Sequence, residues 1–178
     1  MEAVATGRHV VFSHGQESGP WGRKISALAE IARSEGYDAH SVDYRGIVEP
    51  RARVAKLVDF CKEFVGDLVL VGSSMGGYVS VASASLLHAR GVFLMAPALY
   101  VEGLPALRPG ALDCPVTVVH GWRDEVVPFD HSMRFAQSYA AALHLLESDH
   151  RMHNQMRAIQ SLFEYFLIGL DLPPSALE

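Results

Sequence analysis

Cysteine, positive charge and long apolar runs are all scarce in this sequence, and each scarcity excludes a class of protein. Cys61 and Cys114 are the only cysteines, so the chain has no disulfide framework and suits a reducing compartment. Residues 1–8 contain an early glutamate and no long apolar stretch, which is unlike a signal peptide. No apolar run approaches the roughly 18 residues that a membrane-spanning helix needs. We therefore expect a cytoplasmic protein without a membrane partner.

The charge and composition are those of a globular protein. Lys and Arg number 15 and Asp and Glu number 20, which gives a net charge of −5 and argues against a nucleic-acid partner. Hydrophobic residues make up 49% of the 178 residues and charged residues 20%, a balance that supports a packed core. We expect one domain over residues 1–178, with little sequence left for an inserted cap domain.

Short apolar runs alternate with longer segments of helical period. Six runs have the composition of β-strands: residues 9–13, 39–44, 68–72, 92–96, 116–120 and 143–146. Their alternation with helices predicts an α/β fold with a doubly wound, mainly parallel six-stranded sheet and helices on both faces. Ligands of such sheets bind at the carboxyl ends of the strands, so the residues that follow each strand are the candidates for function.

The segment after the second predicted strand carries charges of both signs. The basic residues are Arg45, Arg51, Arg53, Lys56 and Lys62, and the acidic ones are Glu49, Asp59 and Glu63. Interleaved charges of this kind are typical of a helix face in water. We therefore expect all of these side chains to be solvated.

The sharpest motif is the run Gly72-Ser73-Ser74-Met75-Gly76-Gly77, which fits G-x-S-x-G. It lies between a predicted buried strand and a predicted helix, the context in which this motif forms a nucleophile elbow. Small residues on either side of Ser74 allow strand and helix to approach closely, and the hydroxyl then stands at the positive end of the helix. Ser74 is the candidate nucleophile, and the alternative is a tight turn with an inactive serine. Ser73 is out of register for the elbow.

A serine nucleophile needs a base, which in this kind of fold follows the acid along the chain. His150 comes directly after the last predicted strand, where its imidazole can reach over the sheet edge toward Ser74. His153, three residues further on, is the alternative base. His120 and His144 lie inside predicted strands, and we expect both to pack in the core.

The acid is expected after the fifth predicted strand, where Asp124 and Glu125 are neighbours. Asp124 is the preferred candidate, since Glu125 begins the run toward the next helix. A buried acid at this position would hold the tautomer of the base and stabilise its imidazolium form. The alternative role for Asp124 is an N-cap of that helix.

The loop of residues 13–20 joins the first predicted strand to the first helix. A glycine-bearing loop there can offer the backbone N–H of Gln16 to an oxyanion, beside the N–H of Met75 in the elbow. We expect His14 to orient this loop. A phosphate site is the alternative, but the loop lacks the G-K-[ST] and G-x-G-x-x-G motifs of nucleotide-binding folds.

Taken together, three features resemble the α/β-hydrolase superfamily: His14-Gly15-Gln16, the elbow at Ser74, and His120-Gly121-x-x-Asp124 ahead of His150. Residues 13–25 are more specifically similar to small bacterial YqiA-like esterases. The resemblance implies Ser74 as nucleophile, Asp124 as acid and His150 as base, with Gln16 and Met75 at the oxyanion hole. It also implies a minimal core, because the two amino-terminal strands usual in the superfamily are missing. A short loop after Pro97 stands where a cap is commonly inserted, so we expect an open, lidless site.

These features predict a serine hydrolase that cleaves small carboxylic esters through an acyl-enzyme intermediate, without a metal or an organic cofactor. Its partner would be a small-molecule ester, and nothing in the sequence specifies an oligomeric state. The uncapped site would favour short acyl chains, and the residues expected to line it are Tyr44, Leu99 and Trp122. The alternatives are a thioesterase or a peptidase with the same triad, or a catalytically silent binding protein of this fold. A metal site at Asp149, His150 and His153 is disfavoured, because no further ligand cluster accompanies them.

Overall fold

The structure is a computed structural model that describes residues 7–107 and 112–172. Its strands are β1 (Gly7–Ser13), β2 (Asp38–Val42), β3 (Gly66–Ser73), β4 (Gly91–Met95), β5 (Val116–Gly121) and β6 (Ala142–Leu146). Its helices are α1 (Arg23–Ser34), α2 (Pro50–Cys61), α3 (Met75–Ala84), α4 (Phe129–Tyr139) and α5 (Met156–Asp171), and a 3₁₀ turn (His153–Gln155) precedes α5. All six predicted strands are present, with ends within two residues of the expected ones. The expectation of a single domain over 1–178 stays a prediction, since 1–6, 108–111 and 173–178 lie outside the described residues.

The six strands form one sheet in the order β2-β1-β3-β4-β5-β6, and every neighbouring pair is parallel. This arrangement confirms the predicted doubly wound α/β fold. The chain runs outward to β2 after β1 and then returns to β3 on the other side, so the direction of winding reverses between β1 and β3. A crevice opens at such a reversal, at the carboxyl ends of the two strands. The loop after β1 and the elbow after β3 therefore flank the same crevice.

Helices cover both faces of the sheet, as the alternating pattern predicts. One apolar layer joins the sheet to α1 and α5 and contains Leu28, Val69 and Phe163. The other layer joins it to α2, α3 and α4 and contains Leu57 and Leu70. Val69 and Leu70 belong to opposite layers because successive side chains of a strand point to opposite faces, so β3 is apolar throughout its buried part. Within the described ranges, no helix is long and apolar enough to cross a membrane.

The start of α2 follows from two residues. Pro50 is the first residue of the helix, where its missing N–H costs no hydrogen bond. The side chain of Glu49 accepts a hydrogen bond of 2.6 Å from the backbone N–H of Ala52, which caps the helix. This start matters for function because Val48, Glu49 and Pro50 lie beside the elbow.

Candidate active site

Ser74 lies in the turn between β3 and α3, with a backbone φ of 53° and ψ of −119°. A non-glycine residue rarely adopts this conformation, so the turn is strained and the surrounding contacts must hold it in place. Glycines allow those contacts: a Cβ on Gly76 would lie 1.9 Å from the carbonyl oxygen of Ser13, and one on Gly72 would lie 2.3 Å from that of Gly76. The strand, the turn and the helix therefore approach one another more closely than any larger residue would permit. The serine side chain is half-buried at the carboxyl edge of the sheet.

His150 follows β6 and reaches back over the sheet edge to Ser74. Its Nε2 lies 3.1 Å from Oγ of Ser74, and its Nδ1 lies 2.6 Å from Oδ2 of Asp124. Because a carboxylate only accepts hydrogen bonds, Nδ1 carries the proton, and Nε2 of the neutral ring is left to accept from the serine hydroxyl. The side chain of His150 is 20% exposed, which leaves it open to water and to a ligand.

Asp124 follows β5, and its carboxylate is fully buried. Oδ1 accepts hydrogen bonds of 2.8 Å from the N–H groups of Val126 and Val127, while Oδ2 accepts from His120 at 3.0 Å and from His150. Burial acts to raise the pKa of Asp124, but these hydrogen bonds outweigh it and hold the pKa well below its usual range. The group is thus an anion at neutral pH. Asp124 does not take the alternative role of helix N-cap, because α4 begins at Phe129 and its N-cap is Pro128. The bonds to Val126 and Val127 instead shape the loop ahead of that helix.

The loops after β5 and β6 are held against each other at Gly121. A Cβ on this residue would lie 2.3 Å from the carbonyl oxygen of Ser148. The N–H of Trp122 donates to the carbonyl of Leu146 at 3.0 Å, and the N–H of Arg123 donates to that of Ser148 at 3.1 Å. These backbone bonds continue the pairing of β5 with β6 past the strand ends. The acid loop and the base loop therefore keep a fixed separation.

The loop after β1 is fixed by His14, as the sequence predicts. Nδ1 of His14 donates to the carbonyl of Gly15 at 2.7 Å, and Nε2 accepts from the N–H of Tyr44 at 2.8 Å. Burial lowers the pKa of His14, so the ring is neutral and makes no ion pair with Asp43, 3.9 Å away. Gln16, two residues after His14, lines the same crevice as Ser74 and Met75.

Arg53 corrects an expectation from the sequence. It was expected on a solvated helix face, but only 2% of its surface is exposed. Its guanidinium donates to the carbonyls of Ile47 (2.7 Å), His14 (3.2 Å) and Gly15 (3.3 Å). The spacing could have revealed this: Arg53 lies four residues before Leu57, on the buried stripe of α2.

A cavity of about 560 Å³ opens beside Ser74. Part of its lining comes from Val48, Glu49 and Pro50 at the start of α2, and another part comes from residues 101–104 in the loop after β4. Val126 and Val127 also line the cavity, as do Gln16, Ser74 and Met75. Most of these side chains are apolar, and Glu49 and Glu102 are the two carboxylates among them. The short loop that replaces a cap therefore supplies part of a wall and does not leave the serine on a flat surface.

The residues expected to line the site do not line this cavity. Tyr44 and Leu99 are fully buried, while Trp122 is 51% exposed. Tyr44 lies under the loop after β1, where its hydroxyl is 2.9 Å from Oγ of Ser13. Its chain position just after β2 placed it near the correct edge of the sheet, but its side chain points into the core and not into the crevice.

The alternative site residues lie elsewhere. His153 is exposed in the 3₁₀ turn before α5, and His150 is the histidine bonded to Ser74. Oδ1 of Asp149 accepts 3.0 Å hydrogen bonds from the N–H groups of Arg151 and Met152, which shapes the loop. Across residues 7–107 and 112–172, no group of three or more His, Cys, Asp and Glu side chains is arranged to hold a metal ion.

Sequence reasoning missed the polar role of His120. The residue is fully buried, as expected of a core histidine, yet it contacts Asp124 and Ser132. The available signal was the spacing of four residues between His120 and Asp124 across a tight turn, with Gly121 between them. The N–H of Asp124 donates to the carbonyl of Gly121 at 3.1 Å, and this turn folds the carboxylate back onto the imidazole.

The chain is similar to known proteins in sequence and in fold. A sequence profile described as the alpha/beta hydrolase family matches residues 10–175. A proposed hydrolase of the alpha/beta superfamily from Xanthomonas campestris pv. campestris is 31% identical, with a TM-score of 0.83 over 91% of this chain and 99% of that chain. No curated protein matches the chain.

Two further solved structures share the fold at lower identity. Est1E from Butyrivibrio proteoclasticus is 19% identical, with a TM-score of 0.78 over 93% of this chain and 88% of that chain. A serine hydrolase without a lid from Xanthomonas campestris is 16% identical, with a TM-score of 0.73 over 97% of this chain and 88% of that chain.

Proposed function

The chain belongs to the alpha/beta hydrolase family, and from this premise we propose that it is a serine hydrolase that cleaves small carboxylic esters. The observation that carries the proposal is the continuous hydrogen-bonded chain from Ser74 through His150 to Asp124. It ends on a half-buried hydroxyl that lines a largely apolar cavity. A nucleophile, a base and a buried acid in this geometry are the parts that acyl transfer requires.

The first half of the reaction forms the acyl-enzyme. His150 Nε2 takes the proton of Ser74 as Oγ attacks the ester carbonyl carbon, and the carbonyl oxygen becomes an oxyanion. The backbone N–H groups of Gln16 and Met75 donate hydrogen bonds to this oxyanion. The N–H of Met75 is available for this because Met75 is the first residue of α3, where an N–H has no acceptor within the helix. The tetrahedral intermediate then collapses. The carbon–oxygen bond to the alcohol breaks, and His150 gives its proton to the leaving oxygen.

The second half releases the acid by the same groups in reverse roles. A water takes the place of the alcohol, gives a proton to His150 Nε2 and attacks the acyl carbon. Collapse of the second intermediate returns the proton to Ser74 Oγ and frees the carboxylic acid. Asp124 stays ionised throughout and stabilises the imidazolium that forms in both halves. Every electron pair and proton is supplied by the chain, the ester and water.

The cavity supports a small substrate with an apolar group. Its walls at Val48, Leu104 and Val126 offer apolar contact, and about 560 Å³ lies within the range of small-molecule sites. The neighbour Est1E has also been solved with ferulic acid bound, which is a small aromatic acid. We therefore propose esters of small acids as the first substrates to test. Thioesters and peptide-like amides of the same acyl group belong in the same panel, since the triad chemistry is shared.

Two neighbouring serines give a matched test. Ser74→Ala should lower kcat for p-nitrophenyl butyrate by about 10⁴-fold or more, because the nucleophile is gone. Ser73→Ala changes the adjacent buried serine and should keep most of the activity. A fluorophosphonate probe should label the wild-type protein and the Ser73→Ala variant, but not Ser74→Ala. Equal rates and equal labelling in the two variants would overturn the proposal.

A further inference from the structure

His120 is a second imidazole on the carboxylate of the candidate acid. Its Nε2 lies 3.0 Å from Oδ2 of Asp124, the same oxygen that accepts from Nδ1 of His150 at 2.6 Å. It also lies 3.0 Å from the carbonyl oxygen of Val127. Both of these neighbours can only accept, so Nε2 of His120 carries a proton and donates.

The other nitrogen of the ring is equally defined. Nδ1 of His120 lies 2.7 Å from Oγ of Ser132 in α4, and a neutral ring accepts there from the serine hydroxyl. His120 and Ser132 are both 0% exposed, so no water competes for these bonds. The series Ser132–His120–Asp124–His150 therefore runs from the α4 side of the sheet to the site, with one tautomer of each ring satisfying every contact.

From this arrangement we infer that His120 is a positioning residue of the hydrolase. Its Nε2–H holds Oδ2 of Asp124 in place and withdraws electron density from the oxygen that supports His150. The expected effects on kcat and on the pH profile rest on the proposed function. The inference goes beyond that function because it assigns a role to a residue that touches neither the substrate nor the reacting atoms.

Two physical consequences follow from that bond. Without it, Oδ2 is free to turn away from His150, so the imidazole is less often in line with Ser74 and kcat falls. Loss of the bond from His120 also leaves the carboxylate of Asp124 a stronger acceptor toward His150, so it stabilises the imidazolium form of His150 more strongly. The base is then protonated up to a higher pH, and the acid limb of the kcat/KM profile moves upward.

Several charged groups lie near Asp124 and His150 and can influence the pH profile. Asp124 comes from the loop after β5, and Asp149 and Arg151 come from the same loop as His150. Lys24 in α1 interacts with both Asp124 and Asp149, and burial lowers its pKa to about 8. Lys24 is therefore mainly a cation below about pH 8.

The test compares two amides at one position. In His120→Gln, the side-chain NH₂ reaches as far as Nε2 of histidine and can still donate to Asp124. In His120→Asn, the shorter amide can still bond Ser132 but stops short of the carboxylate. His144→Asn in the neighbouring strand β6 is the control, since His144 is not among the hydrogen-bond partners of Asp124.

We expect a difference between the two amides that a merely structural role would not produce. His120→Asn should lower kcat by about tenfold to a hundredfold with little change in KM. A loss of this size is typical when a residue that hydrogen-bonds a metal-ligating side chain is removed, and His120 supports Asp124 in the same way. The acid limb of His120→Asn should move to higher pH. The kcat values of His120→Gln and His144→Asn should both stay within about threefold of wild type. In the first variant the hydrogen bond to Asp124 is kept, and in the second it is not affected. Equal kcat values and equal pH profiles for Gln and Asn would overturn the inference.

A spectroscopic readout separates this inference from the proposed function. A strongly hydrogen-bonded imidazole N–H gives a downfield proton resonance, so that of Nδ1–H in His150 reports directly on the bond to Asp124. The resonance should shift in His120→Asn and hold in His120→Gln. If the wild type hydrolysed no ester and this difference were still seen, the proposed function would fail while the positioning role stood. An identical resonance in both variants would overturn the positioning role whether or not esters are hydrolysed.

Discussion

Nη1 of Arg53 lies 3.2 Å from the carbonyl oxygen of His14, beneath the loop that carries Gln16. The buried guanidinium donates to three backbone carbonyls, and no carboxylate among the described residues accepts a hydrogen bond from it. Burial lowers the pKa of Arg53, though the group remains a cation. A buried cation that donates to backbone oxygens fixes the path of a loop, and here that loop carries Gln16, whose N–H is proposed to bind the oxyanion.

Replacing this guanidinium should affect both stability and turnover. Arg53→Met leaves the carbonyls of His14, Gly15 and Ile47 without their donor, which should lower the free energy of unfolding by about 3 kcal/mol or more. The N–H of Gln16 then loses its fixed direction, so kcat should fall by about tenfold or more while the variant is folded. Urea unfolding and ester kinetics measure the two effects. Arg51→Met, at an exposed position two residues earlier in α2, is the control, and an equal loss there would refute the loop role.

Gly76 should tolerate no side chain. Because a Cβ there would lie 1.9 Å from the carbonyl oxygen of Ser13, Gly76→Ala must push β1 away from α3 and distort the elbow. We expect the free energy of unfolding to fall by about 3 kcal/mol or more. Gly169→Ala in α5 meets nothing within 4 Å and should instead raise stability by about 0.5–1 kcal/mol. Thermal unfolding of the pair distinguishes a steric effect from a general cost of losing glycine.

The carboxylate of Asp124 should contribute to acid sensitivity. Its pKa in the folded chain is lower than in the unfolded chain, so it stabilises the fold above about pH 4, its unfolded pKa, and that contribution is lost as the pH falls further. Asp124→Asn removes the titrating group, so its stability should fall less steeply than that of the wild type below about pH 4. Urea unfolding from pH 7 down to about pH 3 gives both curves. Parallel curves would contradict this account.

The same variant should lose activity. An amide in place of the carboxylate can present its NH₂ to Nδ1 of His150 and favour the wrong tautomer, so kcat for esters should fall by about 10⁴-fold. The fold should be retained at neutral pH, which circular dichroism can check. Activity near the wild-type level would show that Asp124 does not act as the acid.

His150 and His153 should respond very differently to the same change. His150→Ala removes the imidazole bonded to Ser74 and should lower kcat by about 10⁴-fold or more. His153→Ala removes an exposed ring and should leave kcat within about twofold of wild type, as is usual for surface changes. Ester kinetics on the two variants decide between the candidates for the base. A larger loss in His153→Ala would reverse the assignment.

Local patterns predicted much of the fold because their causes are local. The apolar run of β3 needs only its own residues to indicate a strand buried on both faces. The elbow is defined by glycines within three residues of Ser74, so its strained turn is visible in the sequence. The proposal of Gln16 and Met75 depends on the same short segments. These parts follow from periodicity and steric size, which do not depend on distant partners.

The substrate-facing surface depends on contacts that no local pattern contains. Tyr44 and Leu99 follow strands as a lining residue should, yet both are buried. The cavity walls instead come from Val48 and from residues 101–104, two loops that meet only after the sheet is formed. Whether a loop residue points outward depends on what packs under it, here Arg53 and the β1 loop.

The sequence by itself determined the alternation of strands and helices, the scarcity of cysteine and of long apolar runs, and a serine on a tight turn. Only the tertiary structure decided which distant groups meet. Ser74 and His150 are 76 residues apart in the chain and 3.1 Å apart in space, and the same folding brings His120 and His150 onto one oxygen of Asp124. The physical reason is that all parallel strands deliver their carboxyl ends to one edge of the sheet. The edge is predictable from the pattern, whereas the contacts made along it depend on the packing of the loops.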